Sequence, residues 1–348
     1  MSNSGATTAV TGSLWRRVLL LALPVAVQML LQSFLGMADV IMVGGLGAEA
    51  VAAVGLAAKL HFLMLVTMMG VATACAILVA QYCGAGNRVQ GQRTLAMALV
   101  VGTVFMLPFT LAFALGGVWL PLINPDVAVV QLAVTFLLIS APVLLLTQWI
   151  TVYEAALRAL GNTTVPLIMG ALAVALNIGL NYVLIFGHFG FPALGVAGAA
   201  WGTLLSRLVQ LGATLAWLYG VKHDFALRAM DFIRALAWAP LKRFLWFALP
   251  LLINHVIWAV GNAAYHVVSG FAGTDALAVM GVMVPIESSF FALFVGLANA
   301  AAVLVGQTLG RGDMPGAWQL YRFFNRLTLV LVFSFAGGLW LAKPWVLA

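Results

Sequence analysis

An aspartate inside an apolar run is the first residue here whose type and place imply chemistry. Asp39 lies near the end of the hydrophobic stretch 18–43. An ionisable side chain in hydrocarbon costs several kcal/mol unless it faces a cavity or a partner. Asn177 and Asn181, one helical turn apart in the run 165–186, and Thr203 in the run 195–219 stand at similar depth. At 1.5 Å per helical residue, Asp39 is about 8 Å inside its end of the membrane, Asn177 about 15 Å, Asn181 about 9 Å and Thr203 about 12 Å. A carboxylate, two amide oxygens and a hydroxyl at one level suit a hard cation such as sodium, and the carboxylate alone suits a proton. The plainer reading of Asp39 is a helix-end cap or a structural hydrogen bond.

The same first run carries Gln28, Gln32, Gly36 and Asp39, spaced i, i+4, i+8 and i+11 on one helical face. Moved along the chain by 226 residues, that face reads Asn254, Trp258, Asn262 and Tyr265. Two such stripes facing one another would line a central substrate cleft, although membrane helices also use polar side chains as glue. Glu287, in the run 276–305, is a second acidic candidate for the same cleft. Pro24 removes a backbone hydrogen bond and is a hinge candidate. Arg207 and Lys59 are read as snorkelling side chains, and Arg158 as a cytoplasmic anchor.

Helices must position these residues. Of 348 residues, 64% are hydrophobic and 7% charged, against about 45–50% and 25% in soluble domains. Nine runs reach the roughly 20 residues that a 30 Å hydrocarbon layer requires: 18–43, 53–80, 95–120, 129–153, 165–186, 195–219, 244–271, 276–305 and 327–347. They are continuously apolar, without the alternation of barrel strands, so an all-α polytopic membrane protein is expected. The first run follows Arg16 and Arg17 without a signal-peptide cleavage pattern and is read as a retained helix. Cys75 and Cys83 lack zinc-ligand spacing and are read as packing residues.

The net charge of +7 reflects topology rather than nucleic-acid binding, because 13 of the 16 Lys and Arg fall in alternate loops. Those loops and the N-terminus are therefore expected in the cytoplasm, with the Asp39 group in the outer half of the bilayer. Ala22-Leu23-Pro24 recurs as Ala248-Leu249-Pro250, and the offset of 226 also superposes Gly47, Gly55, Gly70, Gln81, Gly84 and Gly86 on Gly273, Gly281, Gly296, Gln307, Gly310 and Gly312. Six helices per offset make the repeats parallel. The expected division is 1–220 with six helices, a basic linker 221–243, and 244–348 with three of a second set of six. There is no phosphate-cradling Gly-x-x-x-x-Gly-Lys-Ser/Thr, no His-Glu-x-x-His and no Gly-x-Ser-x-Gly, so neither an ATP-driven pump nor an enzyme is expected.

Several strings resemble the multidrug and toxic compound extrusion (MATE) transporters. They are Asp39 with Met42-Val43-Gly44 to Gly47, Val51-Ala52-Ala53-Val54-Gly55-Leu56, Ala80-Gln81 with Gly84-Ala85-Gly86, Ala156-Leu157-Arg158-Ala159-Leu160-Gly161-Asn162-Thr163, and the stretch from Asn177 through Pro192 to Trp201. The resemblance implies two six-helix lobes in a V and export of cationic drugs and other toxic organic compounds, driven by entry of sodium or protons. It assigns Asp39, Asn177, Asn181 and Thr203 to the ion site of the N-terminal lobe, and Pro24 to a bend in the first helix. Where some members carry an acidic residue in the seventh helix, Trp258 stands here, so an ion site of that type in the second lobe is not expected. The implied setting is a bacterial inner membrane, with lipid and small cationic substrates as partners, a monomer, and no cofactor beyond the coupling ion. The alternatives are a flippase for lipid-linked precursors, or a fragment that does not transport because helices ten to twelve do not follow.

Overall fold

The computed structural model describes residues 4–123, 125–271 and 274–346, with side chains from 14 to 341 apart from several between 263 and 289 and that of residue 339. Eleven helices follow in order among these residues: α1 (Ser4–Gly44), α2 (Ala48–Gly84), α3 (Arg88–Ala114), α4 (Gly116–Ile123), α5 (Val127–Ala159), α6 (Thr164–Phe186), α7 (Val196–Gly220), α8 (Ala229–Ala235), α9 (Trp238–Phe271), α10 (Thr274–Gly310) and α11 (Met314–Val346). Nine are long, and each contains most or all of one expected run. Seven have a described stretch apolar enough to span a membrane. α7 falls short because Thr203, Ser206, Arg207, Gln210 and Thr214 share one face and lower its hydropathy.

The helices exceed the expected spans mainly at the cationic end. α2 has 37 residues, about 55 Å at the standard rise, so its end projects past the hydrocarbon. The run 95–120 departs from expectation, because α3 closes at Ala114 and α4 begins at Gly116. Gly116-Gly117 supplies the break, each glycine costing about 1 kcal/mol in a helix relative to alanine. The Trp119 indole of α4 then donates to Ala112 O of α3 at 2.8 Å, while α4 packs chiefly on α5. α1 passes through Pro24 as one helix.

α5 is the central element, packed on α2, α3 and α7. Its buried face includes Leu137, Leu144, Val152, Tyr153 and Leu157. α6 lies between α1 and α7; α9 packs chiefly on α2; and α10 packs on α1 and α2. Cys75 is buried, and both cysteines are free.

The 226-residue repeat is visible in the backbone. α2 and α10 both end in a turn closed by a glycine at positive φ, Gly86 at 71° and Gly312 at 79°, a conformation that costs a side-chain-bearing residue strain. The next residues, Asn87 and Asp313, each accept a backbone N–H at the start of the following helix, from Gln90 and Gly316. Just before the turns, α2 and α10 cross so closely that a methyl carbon on Gly84 would strike Gln307 O, and one on Gly310 would strike Gln81 O. Gln81 and Gln307 are themselves repeat-related, so the crossing is two-fold. Gly70 against Leu252 of α9 and Gly296 against Ala22 and Ala26 of α1 form a second reciprocal pair, Ala26 being the repeat mate of Leu252.

Gly310→Leu is therefore expected to wedge α2 from α10 and cost about 2 kcal/mol, as overpacking does. Gly337→Leu, at a position where an added carbon meets nothing within 4 Å, serves as the control. Melting of the two variants in detergent checks this: only Gly310→Leu should melt earlier than the parent.

Candidate functional site

Three helices bring the Asp39 group together. Asn181 on α6 donates one amide to Asp39 Oδ1 on α1 at 2.7 Å and to Asn177 Oδ1 at 3.1 Å. Asn177 in turn donates to Thr203 Oγ1 at 3.3 Å and Ser206 Oγ at 3.2 Å on α7. Thr203 sends its own proton to Ala199 O at 3.0 Å, which leaves its lone pairs for the incoming donor. The amides are 2% and 1% exposed, while Asp39 is half-buried. Gly202 makes the approach of α6 to α7 possible, because any Cβ there would collide with Asn181 Oδ1. That same oxygen is buried without a hydrogen-bond partner.

All four sequence candidates thus converge, and Ser206 joins them. One carboxylate with several neutral oxygens is a donor set for a monovalent hard cation or a proton. Among the described residues, no three of His, Cys, Asp and Glu gather as a divalent-metal site would.

A second cluster is more fully buried in the bundle, and sequence reading missed its centre. The carboxylate of Glu154 on α5 accepts from Gln28 Nε2 of α1 at 2.9 Å, Gln210 Nε2 of α7 at 3.1 Å and Arg158 one turn along α5 at 3.3 Å. Arg158 also donates to Gln28 Oε1 at 3.3 Å, and Arg207 donates to Gln210 Oε1 at 2.7 Å. Glu154 is 7% exposed and Arg158 9%. The expected run ended at residue 153, which set Glu154 one residue outside the membrane. The signal was available: an acid and a base at i and i+4 can pair along a helix.

Two expectations change as a result. Arg158 is no surface anchor, because Glu154 draws it into the bundle. Arg207 does not snorkel outward either; it lies within electrostatic reach of both Asp39 and Glu154. Two carboxylates and two guanidiniums therefore share one part of the bundle with their charges balanced.

The proposed cleft residues separate. Gln28, at 1% exposed, is held by Glu154 and Arg158 inside the bundle rather than in an open cleft. Gln32 and Asn262 are half-buried, and Asn254 is exposed. Trp258 stacks on Phe291 of α10 with centroids 6.0 Å apart and lies 6.4 Å from Phe62 of α2. Tyr265 is 56% exposed. The side chain of Glu287 lies outside the described residues.

Glu154→Ala leaves Arg158 buried without its counter-charge, a change that costs about 3–5 kcal/mol. Replacing both members of the pair with alanine should cost less than the single change, and thermal unfolding of the two variants measures the difference. A double variant less stable than Glu154→Ala would refute the charge-balance account.

The MatE family profile matches residues 24–183 and 250–348. The "Probable multidrug resistance protein NorM" of Thermotoga maritima is 29% identical over 332 residues, covering 92% of this chain and 70% of that protein. A protein of the same name from Rhizobium meliloti is 31% identical over 304 residues, covering 87% of this chain and 65% of that one. The chain thus spans about two thirds of the length of these relatives. Among solved structures, a MATE protein in the bent conformation superposes with a TM-score of 0.84 at 21% identity, covering 96% of this chain and 74% of that one, which speaks for the fold. Matched across both halves of its repeat and superposing on a MATE fold, the chain belongs to the MATE family of multi-pass membrane transporters, which are not enzymes.

Proposed function

We propose that this chain is an ion-coupled exporter of cationic drugs and other toxic organic compounds, working by alternating access with sodium or proton entry as the driving reaction. The observation that carries the reading is the Asp39 carboxylate meeting Asn181, Asn177 and Thr203 across α1, α6 and α7. The relatives' names, which refer to multidrug resistance, support the substrate class.

The lobes in this proposal are residues 1–220 with six membrane helices and 244–348 with three, joined by the linker 221–243. The reciprocal glycine contacts of the repeat support a two-fold relation between them. The chain sits in the bacterial cell membrane as a monomer with its cationic loops and N-terminus in the cytoplasm. Drugs occupy the space between the stripe of α1 and that of α9, against Gln32, Asn254, Trp258, Asn262, Tyr265 and Glu287. The tight α2–α10 crossing at the cationic end, together with exposed Asn254 and Tyr265 on α9, supports a state closed toward the cytoplasm. The stripes carry no arginine, which disfavours a flippase for pyrophosphate-linked lipids.

Coupling requires the ion to bind the two access states unequally, since equal affinity shifts nothing. A tenfold ion gradient supplies about 1.4 kcal/mol per ion. Asp39 is placed to read that difference because α1 also touches α10 of the second half; Pro24, as a bend point in α1, would let its two ends move separately.

The test is ethidium efflux from cells expressing the chain, both as it stands and extended by the last three helices of a homologue. Asp39→Asn is expected to cut efflux by roughly tenfold and to abolish its dependence on the ion gradient, as loss of about 1.4 kcal/mol of coupling would. Unchanged efflux with unchanged ion dependence would sink the mechanism. Efflux by the extended chain alone would place the transport function in the twelve-helix protein.

A further inference from the structure

Outside the ion cluster, the segment between α7 and α9 forms a surface with a chemistry of its own. It is held firmly to the bundle. Arg88 pairs with Asp224 at 2.7 Å, the Tyr219 hydroxyl donates to Leu227 O, and Phe225 and Leu227 are 2% and 3% exposed. α8 then lies along α3, with Ala235 buried and Met230 and Ile233 turned outward at 53% and 63% exposure. A short helix with one face on protein and an apolar face turned away belongs in the boundary between headgroups and acyl chains.

Beneath α8 runs a crevice of about 310 Å³, lined by Leu99, Val100, Thr103, Val104, Trp149 and Phe232. Trp149 and Phe232 form its stacked aromatic wall, with centroids 6.1 Å apart and rings 20° from parallel. The one hydroxyl in the lining is already committed: Thr103 donates to Leu99 O at 2.7 Å and accepts from the Trp149 indole at 2.9 Å. The lining therefore offers an occupant only apolar contact. Val104, 66% exposed, sits on the lipid-facing side.

The segment that carries α8 and leads into α9 is cationic. Lys222, Arg228, Arg234, Lys242 and Arg243 are all exposed. The two acids of the same stretch are engaged, Asp224 by Arg88 and Asp231 by the backbone N–H of Arg228. Arg234 is two residues along α8 from Phe232, and Lys242 and Arg243 open α9.

The geometry points to a binding site for one anionic phospholipid, with an acyl chain in the α3–α5–α8 crevice and its phosphate headgroup against Arg234, Lys242 and Arg243. Charge selects the occupant. A zwitterionic lipid or neutral apolar molecule would fill the crevice but leave the cations unmatched, whereas an anionic headgroup satisfies both at the depth where basic clusters meet acidic lipid. The site needs neither the ion cluster nor transport, so it stands or falls apart from the exporter reading.

Native mass spectrometry of the full chain in detergent, titrated with phosphatidylglycerol or phosphatidylcholine of identical acyl chains, tests this. Phosphatidylglycerol should be retained roughly tenfold more tightly, as several cations near an anionic headgroup dictate. Combined Arg234→Glu, Lys242→Glu and Arg243→Glu should erase that preference, and the corresponding glutamine variant keeps the readout if charge reversal impairs folding. Val104→Trp, which fills the crevice from its exposed side, should weaken both lipids equally. Equal retention by the parent, preference surviving loss of the charges, or a Val104→Trp variant that binds like the parent would each overturn the site. So would displacement by inorganic phosphate, which would mark a free-anion site, or a dimer in place of a lipid adduct.

Discussion

A polar group in hydrocarbon must find its partner inside the protein, because no water replaces one that is missing. The interior of the first seven helices follows from that constraint. Glu154 would be intolerable alone at its depth. It is tolerated because α1 contributes Gln28, α7 contributes Gln210, and Arg158 stands one turn away on its own helix. These bonds tie three helices at one level. The Asp39 group ties α1, α6 and α7 at another. α7 takes part in both, so its polar face is the spine along which the two clusters are aligned, and Arg207 lies within electrostatic reach of both carboxylates.

The charge balance has a functional consequence. With two acids and two guanidiniums in the same low-dielectric region, neutralising Asp39 with a proton or a cation leaves the region with an added positive charge. Glu154 remains as the partner that keeps Arg207 and Arg158 stable there. In the proposed coupling, Asp39 is the group whose charge changes, and Glu154 is the acid that stays with the arginines.

The repeat contributes a different kind of contact. At the cationic end, α2 and α10 meet backbone to backbone through Gly84 and Gly310, a contact that small residues permit and larger ones would prevent. Farther along the bundle, α9 leans chiefly on α2, with Asn254 and Tyr265 exposed and Trp258 stacked on Phe291 of α10. The proposed alternating access would use the α2–α10 contact as the joint about which the two halves rock.

Composition and run length alone determined that the chain is helical and spans a membrane, because nine stretches of about 20 apolar residues have no other home. Periodicity alone placed Asn177 and Asn181 on one face and aligned the two halves, since turn glycines such as Gly86 and Gly312 and the caps that follow them are local features. Tertiary structure alone decided partners. That Gln28 turns to Glu154 rather than to a cleft with Gln32 could not be read from a stripe, because both positions lie on the same helical face. That Arg158 is drawn inward depended on an acid one residue past the apparent end of an apolar run. The break between α3 and α4 was hidden from hydropathy, which continues across it, although the local Gly116-Gly117 pair marked the place. Local chemistry sets which segments enter the membrane, and the need to satisfy buried charge across helices that are distant in sequence sets how they meet.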